Sequence, residues 1–133
     1  MMASIKGTIN GLMSNSIIPN GSVVRILLYD GSDRLFSPGS TNKVLVSKAE
    51  VFNPNQFPIK YKLEFPHPGN RQIFYYLCVY IEQNSQVLYH NKNVSNYGAD
   101  LLVDKEFGDV VSSANNLKLR QNLDVFLKNS FDE

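Results

Sequence analysis

The chain has one cysteine, no tryptophan and two histidines in 133 residues. With Cys78 alone, an internal disulfide and any multi-cysteine metal site are excluded. Nothing charged flanks Cys78 to stabilise a thiolate, so it reads as a small buried hydrophobe. Thirteen basic residues stand against twelve acidic ones, a net charge of +1. No basic surplus exists to neutralise phosphates, which argues against nucleic acid as a partner. The longest apolar stretch, around Ile73–Ile81, falls far short of the ~20 residues that cross a bilayer, so no membrane span is expected. Met1 to Gly7 hold neither a signal-like apolar core nor a lipid-attachment cysteine. A cytoplasmic location is therefore expected, with a periplasmic or secreted one as the alternative if a leader has been removed.

Chemical signatures are also missing. There is no HExxH and no histidine pair four residues apart, which argues against a transition-metal site. GxSxG, GxGxxG and GxxxxGK[ST] are absent, so neither an esterase nucleophile nor a nucleotide cradle is indicated. Asp30-Gly31-Ser32-Asp33 lacks the alternating ligands of a calcium loop and reads as a turn. No cofactor is expected.

What is present is strand. In Ile59-Lys60-Tyr61-Lys62-Leu63-Glu64-Phe65 apolar and charged side chains alternate, so one face is buried and the other wet. Ser22–Tyr29 offers Val24, Ile26 and Leu28 to one face. Lys43–Phe52 forms another strand before Asn53-Pro54-Asn55. Ile73–Glu82 is the longest strand candidate, turning at Asn84-Ser85 into Gln86–His90. Ile5, Gly7 and Ile9 suggest a first strand closed by Asn10-Gly11. Residues 34–42 and 91–100 read as loops, and Leu117–Arg120 as a last short strand. Leu123, Phe126 and Leu127 recur at helical spacing, with Asn122 as a cap, so a short C-terminal helix is expected. Strands at this spacing without crossover helices indicate an all-β, two-sheet antiparallel sandwich of about seven strands. It would occupy residues 1–121, with a helical tail over 122–133.

Along Ile73–Ile81, Tyr76, Cys78 and Tyr80 project to one face, and Tyr75, Leu77, Val79 and Ile81 to the other. Such tyrosines pack across strands or present a recognition surface, being large and amphipathic at low entropy cost.

Ile5-Lys6-Gly7-Thr8 and Ile18–Asp30, with its Pro19-Asn20-Gly21 turn, resemble the opening of the bacterial YbaY-like lipoproteins. These are related to the YscW pilotin chaperones of type III secretion. Ile59–Phe65, Tyr75–Ile81 and Gln86-Val87-Leu88-Tyr89 resemble that family's later strands. The likeness runs in order from Ile5 to Val94 and rests on turn and strand residues. It implies a transthyretin-like, Greek-key β-sandwich. It also implies a chaperone-like role, since pilotin members bind a secretin subunit and escort it to the outer membrane. The lipid-anchoring cysteine of such members has no counterpart here, and no catalytic residue carries over.

The function expected is a non-enzymatic protein- or peptide-binding module that uses an exposed strand edge or the tyrosine-bearing face. The candidate residues are Tyr76, Tyr80 and Tyr89, with Phe126 if the C-terminal tail docks there. Two alternatives stand beside it. One is a small hydrolase using His67 or His90 with loop carboxylates. The other is a structural protein self-assembling as a homo-oligomer through a sheet edge.

Overall fold

A computed structural model describes residues 1–13, 15–37, 39–69, 71, 73–92, 94, 103–104, 107–112 and 119–132. The strands are β1 (Met2–Gly11), β2 (Val23–Asp30), β3 (Val44–Phe52), β4 (Ile59–Pro66), β5 (Tyr75–Gln83), β6 (Gln86–His90), β7 (Val103–Asp104), β8 (Gly108–Ser112) and β9 (Val125–Asn129). One helical turn, α1 (Asp33–Phe36), lies between β2 and β3, and a 3-10 turn over Ser130–Asp132 follows β9.

Local chemistry accounts for most of these elements. In β4 the alternation is realised residue by residue: Ile59, Tyr61, Leu63 and Phe65 are buried, and the residues between them exposed. The β5–β6 hairpin turns on Asn84 and Ser85, which take φ of 52° and 66°. Two successive positive φ values match the twist of the flanking strands, and Asn tolerates that region best among non-glycine residues.

The all-β expectation holds, but the two-sheet sandwich, with its Greek-key and transthyretin-like topology, does not. Among the described residues the strands form one nine-stranded sheet in the order β3-β2-β5-β6-β9-β1-β4, with β8 pairing β5, and β7 pairing β8, off that path. The sheet curls until β3 and β4, the ends of the path, lie against each other. Ser47 Oγ, on β3, donates a 2.6 Å hydrogen bond to the Glu64 carbonyl on β4. The result is a nearly closed barrel. Alternation says that one face of each strand is hidden, but not whether those faces meet across two sheets or inside one curled sheet.

The expected C-terminal helix is also corrected. Residues 125–129 are a strand, hydrogen-bonded antiparallel to β6 and parallel to β1. Leading into it, Lys6 N donates to Gln121 O at 3.0 Å and Leu123 N donates to Lys6 O at 2.9 Å. Leu123, Val125 and Leu127 are buried in the common core. Their spacing is two, and it overrides the helical spacing of Leu123, Phe126 and Leu127. Of the alternating run expected at 117–120, residues 117 and 118 lie outside the described residues, as does most of the loop at 91–100.

The barrel interior is filled by Ile5 and Ile9 of β1, Val24, Ile26 and Leu28 of β2, and the inward residues of β4, β5 and β9. Tyr75, Leu77, Val79 and Ile81 all belong to it. The outer face of β5 is thereby left to Tyr76, Cys78 and Tyr80.

Candidate functional site

On the outer face of β2, β5 and β6 lies a groove of about 450 Å³, lined by Leu27, Tyr29, Lys43, Cys78, Tyr80, Val87, His90 and Lys92. Strand register puts these side chains together. Leu27 pairs with Cys78 and Arg25 with Tyr80 across β2 and β5, and Tyr80 pairs with His90 across β5 and β6. Because Ile26, Leu28, Val79 and Ile81 must fill the barrel, their neighbours in sequence are turned outward.

The groove has an aromatic and aliphatic floor and a cationic rim. Lys43 Nζ sits 4.3 Å from the Tyr29 ring centroid and 4.5 Å from that of Phe107, a cation–π arrangement that holds the ammonium at the edge. Burial raises the Cys78 thiol above its ordinary range, with Lys92 and Lys43 pulling against that rise. Burial likewise raises the phenols of Tyr29 and Tyr80. At the Tyr80 end the charges belong to an ion-pair cluster: Arg25 Nη1 is 3.1 Å from Glu50 Oε1, and Arg25 Nε hydrogen-bonds Glu82.

The structure distributes the four expected binding residues differently from the sequence reading. Tyr80 is half-exposed and lines the groove. Tyr76 shares its face but is buried. Its ring stacks on Phe74 at 6.2 Å, meets Phe107 edge-on at 4.9 Å, and lies under the Arg34 guanidinium at 5.7 Å. Tyr76 therefore anchors the segment after β2 and Phe107 over the sheet, rather than facing a ligand.

Tyr89 points the other way, into the core. Its hydroxyl donates a 2.7 Å hydrogen bond to the Ile17 carbonyl, and its ring meets Phe57 edge-on at 5.3 Å. It borders a second cavity of about 460 Å³, with Leu12, Met13, Ile17 and Leu127. Phe126 is half-buried on the outer side of β9, between the inward Val125 and Leu127, and lines neither cavity. The four residues are not one site.

Leu27, Tyr29, Lys43, Val87 and Lys92 were missed by sequence reasoning. The outward positions of Ser22–Tyr29 carried a signal, since Leu27 and Tyr29 are apolar on the face opposite the core. Lys43, expected as the first residue of a strand, lies one residue before β3, Lys92 follows β6, and neither carried a signal.

The histidines behave as separate groups. His67 Nδ1 accepts a 2.9 Å hydrogen bond from the Gly69 amide in its own turn. His90 faces the groove, whose lining among the described residues includes no carboxylate. Among the described residues no three His, Cys, Asp or Glu side chains gather as a metal site requires. No described helix is long and apolar enough to cross a membrane.

One further polar cluster is buried beside β5, between β6 and β8. Asn91 Nδ2 donates to the Leu77 carbonyl at 2.8 Å and to Asp109 Oδ2 at 2.6 Å, and its Oδ1 accepts from Val79 N at 2.9 Å. Burial raises the Asp109 carboxyl to about 6, with Asn91 and Arg120 opposing that rise. The cluster stitches β8 and the end of β6 to β5 where the two share one neighbour.

Comparison with known proteins adds a likeness of fold. No family model matches the chain, and no curated protein matches it. A solved structure is similar: an alternative pilotin from the type II secretion system of Vibrio cholerae. It has a TM-score of 0.68 and 14% sequence identity, covering 97% of this chain and 97% of that one. At that identity the likeness is of fold. The fold is pilotin-like, and the likeness does not extend to the YbaY or YscW family in particular.

Proposed function

We propose that this chain is a non-enzymatic protein-binding module, a pilotin-like chaperone that holds a segment of a partner protein in the groove on β2, β5 and β6. The observation that carries this reading is the likeness of fold to a pilotin along nearly the whole of both chains. The groove supplies the place. Its volume of about 450 Å³ lies in the range that holds a few side chains. Its tyrosines are the residue type that anchors interfaces at low entropic cost.

A captured strand is the less favoured mode. The two ends of the sheet path face each other, so a strand added to the edge of β3 or β4 is met by the other end of the same sheet. The groove instead offers side-chain recognition on the outer face of the barrel.

The partner class that fits the resemblance is a secretin-type subunit. With such a partner the protein would act in the periplasm, the alternative to the cytoplasmic location expected from the sequence, and fractionation of native cells tests it. Binding is tested by co-expressing the chain with the C-terminal region of a secretin from the same genome, followed by size-exclusion chromatography. A stable complex that Tyr80→Asp disperses is expected. Co-elution unaffected by Tyr80→Asp would remove the groove from the reading, and no complex at all would remove the secretin.

A further inference from the structure

We propose that Asn20 is a site of spontaneous covalent modification, at which the Gly21 amide closes on the Asn20 side chain, expels ammonia and leaves an acid in the turn before β2. This stands apart from the binding reading. It rests on which Asn-Gly and Asp-Gly pairs the fold leaves able to cyclise.

The sequence holds two Asn-Gly pairs, Asn10-Gly11 and Asn20-Gly21, and one Asp-Gly pair, Asp30-Gly31. Glycine after Asn or Asp leaves the backbone nitrogen unshielded by a side chain, so these pairs form a cyclic imide most readily. Ring closure needs rotation of the main chain until that nitrogen meets the side-chain carbon. A backbone held by neighbours resists the rotation.

The fold treats the three pairs differently. Asn10 and Gly11 are in register with Phe126 and Leu127 of β9. Asn10 Nδ2 donates to Thr8 Oγ1 at 3.0 Å, and a Cβ on Gly11 would lie 2.8 Å from Ser16 Cβ. Gly31 N donates to Phe74 O at 2.7 Å, and Asp30 Oδ1 accepts from Ser32 N at 2.8 Å. Asn20, by contrast, is exposed in a turn. Gly21 has a φ of 80°, and a Cβ there would meet nothing within 4 Å. Among the described residues, neither Gly21 N nor the Asn20 side-chain amide has a hydrogen-bond partner. The Asn20 main-chain carbonyl accepts from Gln83 Nε2 at 2.7 Å.

The reaction needs only water and hydroxide. The Gly21 nitrogen loses its proton to base and bonds to Asn20 Cγ, and the Cγ–Nδ2 bond breaks as the leaving nitrogen takes up a proton and departs as ammonia. Water then opens the ring at either carbonyl. One product is an aspartyl residue, and the other is an isoaspartyl residue whose main chain runs through the former side chain. Each takes the formal net charge from +1 to zero by adding one carboxylate. The isoaspartyl product also adds an atom to the main chain between Pro19 and Ser22, where Ser22 Oγ donates to Pro19 O at 2.6 Å.

The test incubates the intact chain at 37 °C and pH 8.5, folded and in urea, and follows each Asn by peptide mass mapping, with isoaspartate detected by enzymatic methylation. In the unfolded chain both Asn-Gly pairs convert and set the reference rates. In the folded chain Asn20 should convert within about threefold of its reference, and Asn10 at least about tenfold below its own. The folded chain should also gain an acidic species on anion exchange. Asn20→Gln, whose side chain is one methylene too long for the five-membered ring, should not gain it. A folded chain in which Asn20 is slowed as much as Asn10 overturns the inference. An acidic species undiminished in Asn20→Gln overturns it too.

Discussion

Tyr61 reaches across Gly7. The two residues are register partners on β4 and β1. The Tyr61 hydroxyl donates a 2.6 Å hydrogen bond to the Leu123 carbonyl, on the far side of β1. A Cβ built on Gly7 would lie 2.1 Å from that same oxygen. The absent side chain lets the segment before β9 settle against β1, and the tyrosine then covers the gap with its ring and ties it with its hydroxyl. This three-residue arrangement seats the C-terminal strand that completes the sheet between β6 and β1.

Gly7→Ala should therefore be among the most damaging single methyl additions in the chain. The clash is with backbone, which cannot swing aside as a flexible side chain can. A loss of about 3 kcal/mol is expected, or a fall in melting temperature on the order of 10 °C. Differential scanning calorimetry measures it. A melting temperature unchanged within a degree would show that Leu123 can move without cost.

Tyr61→Phe keeps the ring over Gly7 and removes only the donor. The Leu123 carbonyl would then lose a buried partner, at about 1–2 kcal/mol. Urea unfolding monitored by far-ultraviolet dichroism should show a lower midpoint with an unchanged slope. A changed slope would instead mean that the C-terminal strand detaches in the native state.

These residues also show where the sequence is readable. The alternation of Ile59–Phe65 and the inward set Tyr75, Leu77, Val79 and Ile81 are local properties, and each matches the buried pattern of β4 and β5. Positive φ at Asn84 and Ser85 is local too. The curl of the sheet is not, because the β1–β9 pairing joins Ile9 to Val125, and no window of sequence contains both. Residues 123–127 are apolar at spacings of two, three and four, so helix and strand fit equally until β1 and β6 supply partners. The tyrosines failed as a single site for a related reason. Tyr76 and Tyr89 lie on opposite faces of the sheet, and one is closed over by Phe107 and Arg34, which no periodicity brings near it.

Cys78 gives a chemical readout of the groove. Its thiol is raised by burial, and only 4% of the residue is exposed. The thiolate is the reactive form, so labelling by Ellman's reagent at pH 7.5 should be at least tenfold slower than in urea-unfolded chain. A bound peptide should slow it further. Labelling of the native chain as fast as of the unfolded one would mean that the floor between Leu27 and Tyr80 is open to solvent.

Asp109 should make stability fall as pH rises. Its carboxyl is buried and raised by that burial from the ordinary 3.8 to about 6, against the opposing effects of Asn91 and Arg120. Between those two values the folded state holds a proton that the unfolded state has released. Stability therefore declines as pH climbs through the window and levels off above about pH 7. Acidification to about pH 4 recovers the contribution, which amounts to about 3 kcal/mol for a displacement of this size. Asp109→Asn removes the charge, keeps the shape and leaves an amide oxygen to accept from Asn91 Nδ2. The variant should be more stable than the parent at pH 7.5 by about 2–3 kcal/mol, with the difference shrinking toward zero near pH 4. Urea midpoints measured at half-unit steps from pH 4 to 8 decide it. Parallel curves for parent and variant would show that the Asp109 carboxylate is ionised at no cost, compensated by the nearby Arg120 charge.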